Sequence, residues 1–159
     1  MSMRSVLVGA AAGAVGTVVL DVTTYGDMAL RGRASSDAPA TLVKNVAASA
    51  GIEPLTGDDE TAKNRRSGTG ALLGYVNGVG IGALYGALRP SLRGVPAVLA
   101  GLALGAAAMA ASDVPLVNTG ATDPATWGTA GWFADIVPHV LYGLALAFAF
   151  DALQESGSS

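Results

Sequence analysis

Long apolar segments alternate with polar ones along this chain, and four of the apolar segments are long enough to cross a membrane. They cover approximately residues 5–25, 68–88, 95–113 and 131–153. About 20 apolar residues span a bilayer as a helix, and the backbone must form its own hydrogen bonds there because no water is present. The pattern predicts an all-α fold, a polytopic integral membrane four-helix bundle that forms one domain over residues 1–159.

The first apolar segment has two interpretations, a signal peptide or a first transmembrane helix. Arg4 provides the short basic start of a signal peptide. The small residues of a cleavage site are missing after the apolar core, where Asp21 and then Val-Thr-Thr-Tyr follow. The sequence therefore favours a transmembrane helix, with the signal peptide as the alternative.

The polar loop, residues 26–67, contains a helix pattern of its own. Ser36 or Asp37 is a suitable N-cap, Pro39 fits the first turn, and Gly51 is a suitable end. The resulting helix is too short to span a membrane, and its apolar positions share one face. These positions are Leu42, Val43, Val46, Ala47 and Ala50. This short amphipathic helix either lies on the membrane or on the bundle, or it is a solvated loop helix.

Glycine recurs at every fourth position of the second apolar segment. The row consists of Gly70, Gly74, Gly78, Gly82 and Gly86, and pairs with the same spacing occur elsewhere as Gly9 and Gly13, and as Gly101 and Gly105. Small residues spaced in this way let membrane helices approach closely. A row spaced by four winds around its helix by roughly 40° per step. One neighbour therefore does not cover the row, which predicts a central second helix and a homo-oligomer in which some of these glycines contact another subunit.

Two spacings suggest an internal duplication. Gly9, Gly13 and Asp21 in the first segment are spaced like Gly101, Gly105 and Asp113 in the third, and Tyr85-Gly86 is echoed by Tyr142-Gly143. Helices one and three run in the same direction, so the repeat would be two parallel hairpins. Such matches also arise by chance in a sequence rich in glycine and alanine.

Composition supports a membrane protein and restricts the function classes. Hydrophobic residues make up 51% of the chain and charged residues 13%, whereas about a quarter of a soluble protein is charged. The formal net charge is −3, and residues 26–67 contain six Lys/Arg and six Asp/Glu. No basic stripe remains that would bind nucleic acid. Because the chain has no cysteine, disulfides, zinc–thiolate sites and thiol nucleophiles are excluded.

The basic residues also predict an orientation. Loop 26–67 contains six of them and segment 113–130 none, against three on the other side, Arg4, Arg89 and Arg93. Loops rich in Lys and Arg tend to remain in the cytoplasm. The chain is therefore expected to be a multi-pass protein of the bacterial inner membrane, with the lipid bilayer as its partner, loop 26–67 in the cytoplasm and both termini outside.

Ionisable residues inside the predicted spans fall near one membrane face. They are Asp21, Asp113, Asp135 and His139, with Asn77 farther in. Asp135 and His139 are four residues apart and share a helix face. Intramembrane ionisable groups are costly and usually face the bundle interior and a functional path. Two interpretations stay open: Asp21, Asp135 and His139 form one interacting site, or the groups have separate structural roles.

Enzymatic motifs are weak or missing. Gly78, Gly80 and Ala83 match the spacing of a dinucleotide-binding fingerprint, but they lie within an apolar span and not at a strand-to-helix turn. Carboxylates with one imidazole suit Mn, Fe or Zn, which makes Asp21, Asp135 and His139 candidate metal ligands. No nucleophile or second histidine accompanies them. An enzyme is therefore disfavoured, and no cofactor is expected.

Several strings carry a resemblance to known sequences. DMALRGRASSDAP, the NRRSGTG start of the second span, SDVP and DIVPHVLYG resemble a group of small actinobacterial four-span membrane proteins of unknown function. The resemblance covers most of the chain, and it implies no activity, cofactor or catalytic residue.

Two hypotheses of function follow from the residues themselves. In the first, the chain is a small transport module that binds a proton, a cation or a small solute with its intramembrane polar residues. In the second, it is a structural or accessory membrane subunit whose polar groups fix the register of the helices.

Overall fold

The computed structural model describes residues 2–92 and 94–156. Five α-helices account for most of these residues, and no strand occurs among them. The helices are α1 (Met3–Arg31), α2 (Ala38–Ala50), α3 (Glu60–Leu88), α4 (Ala97–Asn118) and α5 (Gly128–Ser156). Short 3-10 helices cover Glu53–Leu55, Arg89–Leu92 and Pro124–Thr126. Arg93, which enters the predicted charge bias, lies outside the described residues.

Four of these helices, α1, α3, α4 and α5, are long and apolar enough to cross a membrane. The prediction of an all-helical bundle with a short helix in its first loop is therefore confirmed. Large apolar side chains such as Leu72, Val76 and Leu84 point outward. In water such a surface would be unfavourable, whereas lipid tails cover it at no cost.

The helices extend beyond the predicted spans at their polar ends. Ser2 caps α1 by accepting a hydrogen bond from the Ser5 N–H, and Asp59 caps α3 in the same way at the Ala62 N–H. Helix α3 therefore begins eight residues before the predicted boundary at residue 68. The caps explain the extension because they satisfy free N–H groups before the apolar segment begins. The predicted loop 26–67 is shorter as a result.

Helix α2 lies on the bundle, which decides between the two interpretations of this segment. Its buried side chains are Val43 and Ala47, and its end at Gly51 has a left-handed φ of 69°. Pro39 packs against the backbone of Gly70 in α3, and Asn45 donates to the Thr119 carbonyl at 2.9 Å. The apolar face of α2 thus covers the end of the bundle at which α2 lies, called here the loop end.

Helices α1 and α5 occupy the middle of the bundle. Helix α1 packs along both α3 and α5, and α5 packs along both α1 and α4, whereas α3 and α4 touch only sparsely. The prediction of a central second span is therefore wrong, because the second span, α3, has one extensive neighbour. The start of α1 and the end of α5 lie together at the opposite end of the bundle, called here the terminal end, where Gln154 is 3.4 Å from the Ser5 hydroxyl.

The glycine row of α3 is covered by two different neighbours. Gly78, Gly82 and Gly86 face α1, where a Cβ at any of them would clash with α1 atoms, and Gly70 faces Pro39. A Cβ at Gly74 would meet no atom within 4 Å. The winding of the row explains this division, as a spacing of four turns successive glycines toward different sides.

Two antiparallel hairpins, α1 with α3 and α4 with α5, use the same glycine contacts. A Cβ at Gly82 would clash with the carbonyl of Gly9 and the backbone of Gly13, and a Cβ at Gly143 would clash with the carbonyl of Gly101 and the backbone of Gly105. A Cβ at Gly13 would lie 2.6 Å from the Gly78 oxygen, and one at Gly105 would lie 2.5 Å from the His139 oxygen. Gly82 is therefore the structural counterpart of Gly143. The echo of Tyr85-Gly86 in Tyr142-Gly143 is displaced from this register by four residues, about one turn.

Candidate functional site

The candidate site is a cluster of two carboxyl groups and one imidazole between α4 and α5, called here the acidic cluster: Asp113, Asp135 and His139. His139 Nδ1 lies 3.3 Å from Asp135 Oδ1 and 2.9 Å from the Asp135 carbonyl oxygen. The helical spacing of four brings these two residues together. Because both oxygens are acceptors, Nδ1 carries a proton. A neutral His139 ring is therefore the Nδ1–H tautomer.

Asp113 joins the cluster from α4. Its carboxyl group faces that of Asp135 and lies within electrostatic range of His139. Ser112 donates to Asp113 Oδ1 at 3.3 Å. Gly105 makes this approach possible, because without a Cβ it lets α4 contact the backbone of His139. The close helix packing thus places carboxyl groups from two helices side by side.

The cluster is mostly buried and lacks one hydrogen-bond donor. The side chains of His139 and Asp135 are 13% and 21% exposed. Asp135 Oδ2 is buried, and no donor among the described residues reaches it. The neighbouring Asp113 carboxyl group supplies a hydrogen bond only when one of the two acids carries a proton. Two adjacent carboxylates repel each other, so the arrangement has a place for one proton or another small cation.

Asp21 makes its side-chain hydrogen bond with a residue outside the acidic cluster. Its Oδ2 accepts a hydrogen bond from the Tyr75 hydroxyl at 2.9 Å, between α1 and α3. The inter-helix carboxylate beside Asp135 and His139 comes from Asp113 instead. Helical spacing predicted the pair on α5, but it did not predict which neighbouring helix completes the cluster.

Asn77 and the metal-ligand candidates have other surroundings. Asn77 donates to the Ala108 carbonyl at 3.3 Å and so bridges the sparse contact between α3 and α4. Across residues 2–92 and 94–156, no group of three His, Cys, Asp or Glu side chains is arranged to hold a metal ion. The candidate ligands Asp21, Asp135 and His139 are therefore not brought together as such a group in the part of the chain that the structure describes.

Tyr142 is a functional candidate that the sequence pattern did not single out as a site residue. It is almost fully buried, and its hydroxyl donates to the Gly78 carbonyl at 2.6 Å. Thr17 of α1 lies against the same glycine. Tyr142 is three residues from His139 on α5, so a layer of polar groups follows the acidic cluster toward the middle of the helices. A single hydroxyl within an apolar run was the one signal that the sequence offered.

A second polar group lies at the terminal end of the bundle. Arg89 Nη2 pairs with Asp151 Oδ1 at 3.2 Å, and its Nη1 donates to the Leu92 carbonyl at 3.0 Å. The Ser5 hydroxyl donates to the Gly86 carbonyl at 2.6 Å. These contacts tie α1, α3 and α5 together where the chain begins and ends.

Comparison with known proteins gives a family and no assigned activity. The curated proteins and the solved structures contain no match to the chain. The family model that matches is described as a family of unknown function, and it covers residues 3–159, which agrees with the resemblance to proteins of unknown function. The chain therefore belongs to the family of unknown function DUF6789.

Proposed function

We propose that this protein is a small proton transport module of the bacterial inner membrane and that the acidic cluster is its proton-binding site. The observation that carries the proposal is the buried Oδ2 of Asp135, which has no hydrogen-bond donor among the described residues. A buried acceptor without a donor is unfavourable, and a proton shared with the Asp113 carboxyl group removes the cost. Ionisable groups inside membrane bundles commonly mark proton relays.

The position of the cluster suits exchange of a proton with one aqueous side. Asp113 lies five residues before the end of α4, which corresponds to about 8 Å of helix. His139 lies one helical turn farther along α5 than Asp135. Tyr142, with its buried hydroxyl, follows about one turn later. A proton arriving from the loop end would therefore meet the carboxyl groups first and the imidazole next. The basic residues of loop 26–67 support a cytoplasmic loop end.

The test is proton flux in proteoliposomes with a pH-sensitive dye inside and an imposed potassium diffusion potential. Asp135→Asn preserves the shape of the side chain and removes its ability to exchange a proton. We expect it to abolish flux while the protein stays folded. Asp37→Asn is the matched control, because Asp37 is exposed and makes no side-chain cap hydrogen bond. Equal flux in wild type and Asp135→Asn would refute the proposal.

A second candidate is a structural or accessory membrane subunit without transport. Side chains that donate to backbone carbonyls of other helices favour it: Ser5 to Gly86, Asn77 to Ala108 and Tyr142 to Gly78. Such bonds fix the register of packed helices. Under this alternative, Asp135→Asn lowers thermal stability and neither protein supports flux.

Self-association is part of the proposal as well. Of the glycine row on α3, Gly74 has open space around it and is available to a second copy of the chain. A monodisperse monomer in mild detergent and in lipid would count against this part, and it would leave the proton-binding proposal in place.

A further inference from the structure

The terminal end of the bundle contains a polar cavity that the proposed function does not use. Its volume is about 320 Å³, and it lies between α1, the turn after α3, and α5. The lining includes Ser5, Arg89, Asp151 and Gln154. A polar cavity of this size holds several water molecules, since each needs roughly 30 Å³ and two or more polar partners.

Tyr85 is a buried polar residue that contacts two residues lining this cavity, Arg89 and Phe150, and its hydroxyl has no hydrogen-bond partner among the described residues. The residue is only 3% exposed, and its ring packs edge-on against Phe150, which lines the cavity, with ring centroids 5.0 Å apart. The Arg89 guanidinium lies 5.9 Å from the ring centroid, and Asp151 is within electrostatic range of the hydroxyl. No described group forms a hydrogen bond with the hydroxyl. Water from the cavity is the partner that would satisfy it.

We infer that this cavity is a second proton-transfer site, a hydrated vestibule in which the Tyr85 hydroxyl and the Asp151 carboxylate exchange protons with water. The inference rests on the proposed function, for which it supplies the opposite end of the path. A proton on a water molecule passes to the Tyr85 oxygen while the Tyr85 hydroxyl proton passes to a second water molecule, which protonates the Asp151 carboxylate. The Asp151 carboxylic acid then releases its proton to water of the vestibule. Each transfer breaks one O–H bond and forms another, without a change of oxidation state.

Arg89 fixes the position of the carboxylate in the vestibule. Its guanidinium balances the charge of Asp151 at 3.2 Å and stands over the Tyr85 ring. Asp151 supplies the carboxylate of the described lining, and because the guanidinium holds it, it is not free to bind a metal cation. The ligand class of this site is therefore the proton carried by water.

An apolar layer separates the vestibule from the acidic cluster. Ala12, Leu146 and Ala147 are completely buried in it. Along α3, the seven residues from Gly78 to Tyr85 correspond to about 10 Å of helix. The two sites thus lie on opposite sides of a dry layer, and each exchanges protons with its own aqueous side.

The first test measures hydration of the vestibule without relying on transport. The chain has no native cysteine, so a single introduced cysteine gives a clean signal. In sealed vesicles of known orientation, we expect Tyr85→Cys to react with a small membrane-impermeant thiol reagent added at the terminal end only. Ala147→Cys, in the dry layer, is the control and should remain unreactive. Absence of reaction at Tyr85→Cys from the terminal end overturns the inference, whatever the transport assay shows.

The second test measures proton flux in the same proteoliposome assay. We expect Tyr85→Phe and Asp151→Asn to reduce flux by about 10²-fold, the usual effect of removing a positioned proton-transfer group. Tyr25→Phe, on the exposed part of α1, and Asp37→Asn are the matched controls and should retain wild-type flux. Tyr85→Phe removes a hydroxyl that bonds to no described protein group, so no contact between helices is lost and the melting temperature should be unchanged. An unchanged melting temperature separates a transport defect from misfolding.

The outcomes distinguish the two proposals. Flux that is lost in Asp135→Asn but normal in Tyr85→Phe and Asp151→Asn overturns the vestibule and leaves the acidic cluster as the transport site. No flux in wild type, together with a reactive Tyr85→Cys, overturns the transport function. In that case the vestibule is hydrated but is not part of a proton path, and the inference that it is a proton-transfer site is overturned.

Discussion

The hairpin of α1 with α3 and the hairpin of α4 with α5 share a backbone register and differ in the polar chemistry that follows it. Gly82 in the first and Gly143 in the second occupy the same place against their partner helices. Asp21 and Asp113 each lie twelve residues after the first glycine of their helix, Gly9 and Gly101. The backbone arrangement is thus repeated, but the aspartate at the equivalent position faces different side chains in the two hairpins.

The difference lies in the group that each acid faces on the neighbouring helix, a donor in one hairpin and a second acid in the other. In the first hairpin Asp21 accepts a hydrogen bond from Tyr75, whose residue is 48% exposed, so the carboxylate is satisfied. In the second, Asp113 faces Asp135, a second acceptor, beside His139. The first arrangement stabilises a helix contact, and the second needs a proton to do so. The same helix packing therefore holds a structural contact in the first hairpin and a candidate functional site in the second.

The largest effect is expected from substitutions at the shared glycine position. Gly82→Leu and Gly143→Leu force a side chain into the carbonyl of the opposite helix, which is backbone and moves only if the hairpin opens. Each should cost about 3 kcal/mol or more of unfolding free energy, at or above the upper end for overpacking. Thermal unfolding in detergent, followed by circular dichroism, measures the effect.

Gly74→Leu is the matched control on the same helix, because a Cβ there meets no atom within 4 Å. We expect unchanged stability of the monomer. If α3 self-associates through this face, Gly74→Leu alters the oligomer while the hairpin survives. Equal tolerance of Gly82→Leu and Gly74→Leu would mean that the hairpin register is not defined by glycine contacts.

The sequence predicted the helices of both hairpins better than their pairing. Segment length and hydropathy are local properties, so the spans and the loop helix ending at Gly51 followed from them. Helical spacing also placed Asp135 and His139 on one face. The partner of each face depends on how helices meet in three dimensions, and nothing local distinguishes Asp21 from Asp113 as the neighbour of His139.

The pairing of the glycine row shows the same limit. A spacing of four indicates that Gly70 and Gly82 face different sides, but it does not say that Pro39 and Gly9 cover them. The apparent repeat at Tyr85 and Tyr142 is displaced by one turn. Two positions can have the same residue types in sequence and still make different helix contacts.

The two tyrosines of that echo provide the next largest effect. Tyr142 is buried and donates to the Gly78 carbonyl, so Tyr142→Phe removes a bond between the hairpins. A loss of about 1–2 kcal/mol is expected, near the upper end for hydrogen bonds between membrane helices. Tyr85→Phe, whose hydroxyl has no described partner, should cost nothing in the same unfolding experiment. A similar loss in both variants would contradict the hydrogen-bond assignment.

Substitution by asparagine should stabilise the protein at Asp113 and have little effect at Asp21. Asp113→Asn gives Asp135 an N–H donor and removes one of two facing acids, so we expect stability at pH 8 to rise by about 1 kcal/mol. Asp21→Asn keeps an oxygen that accepts from Tyr75, and its effect should stay within about 0.5 kcal/mol. Unfolding of both variants at pH 8 and pH 5 tests this contrast. A gain for Asp113→Asn that does not shrink at pH 5 would indicate a cause other than the missing proton.

The smallest effect concerns the segments that connect the two long helices within each hairpin. In the first connection, the Lys44 ammonium bonds to Asp58 at 2.6 Å and lowers the pKa of that carboxyl group below its ordinary value of 3.8. The Ala62 N–H likewise lowers the pKa of Asp59. A carboxyl group whose pKa is lower in the folded state adds stability above its unfolded pKa, and this stability is lost as the pH falls through the folded value. Because both groups are exposed, the gain is small.

Protection of the amide hydrogens in α2 and at the start of α3, measured as the exchange rate relative to the intrinsic rate at each pH, should therefore decrease slightly below about pH 4. Asp58→Asn should show the lower protection already at pH 7 and a weaker dependence on pH. Protection in α4, which carries neither pair, is the internal reference, and an equal decrease there would assign the change to the whole bundle and not to the first connection.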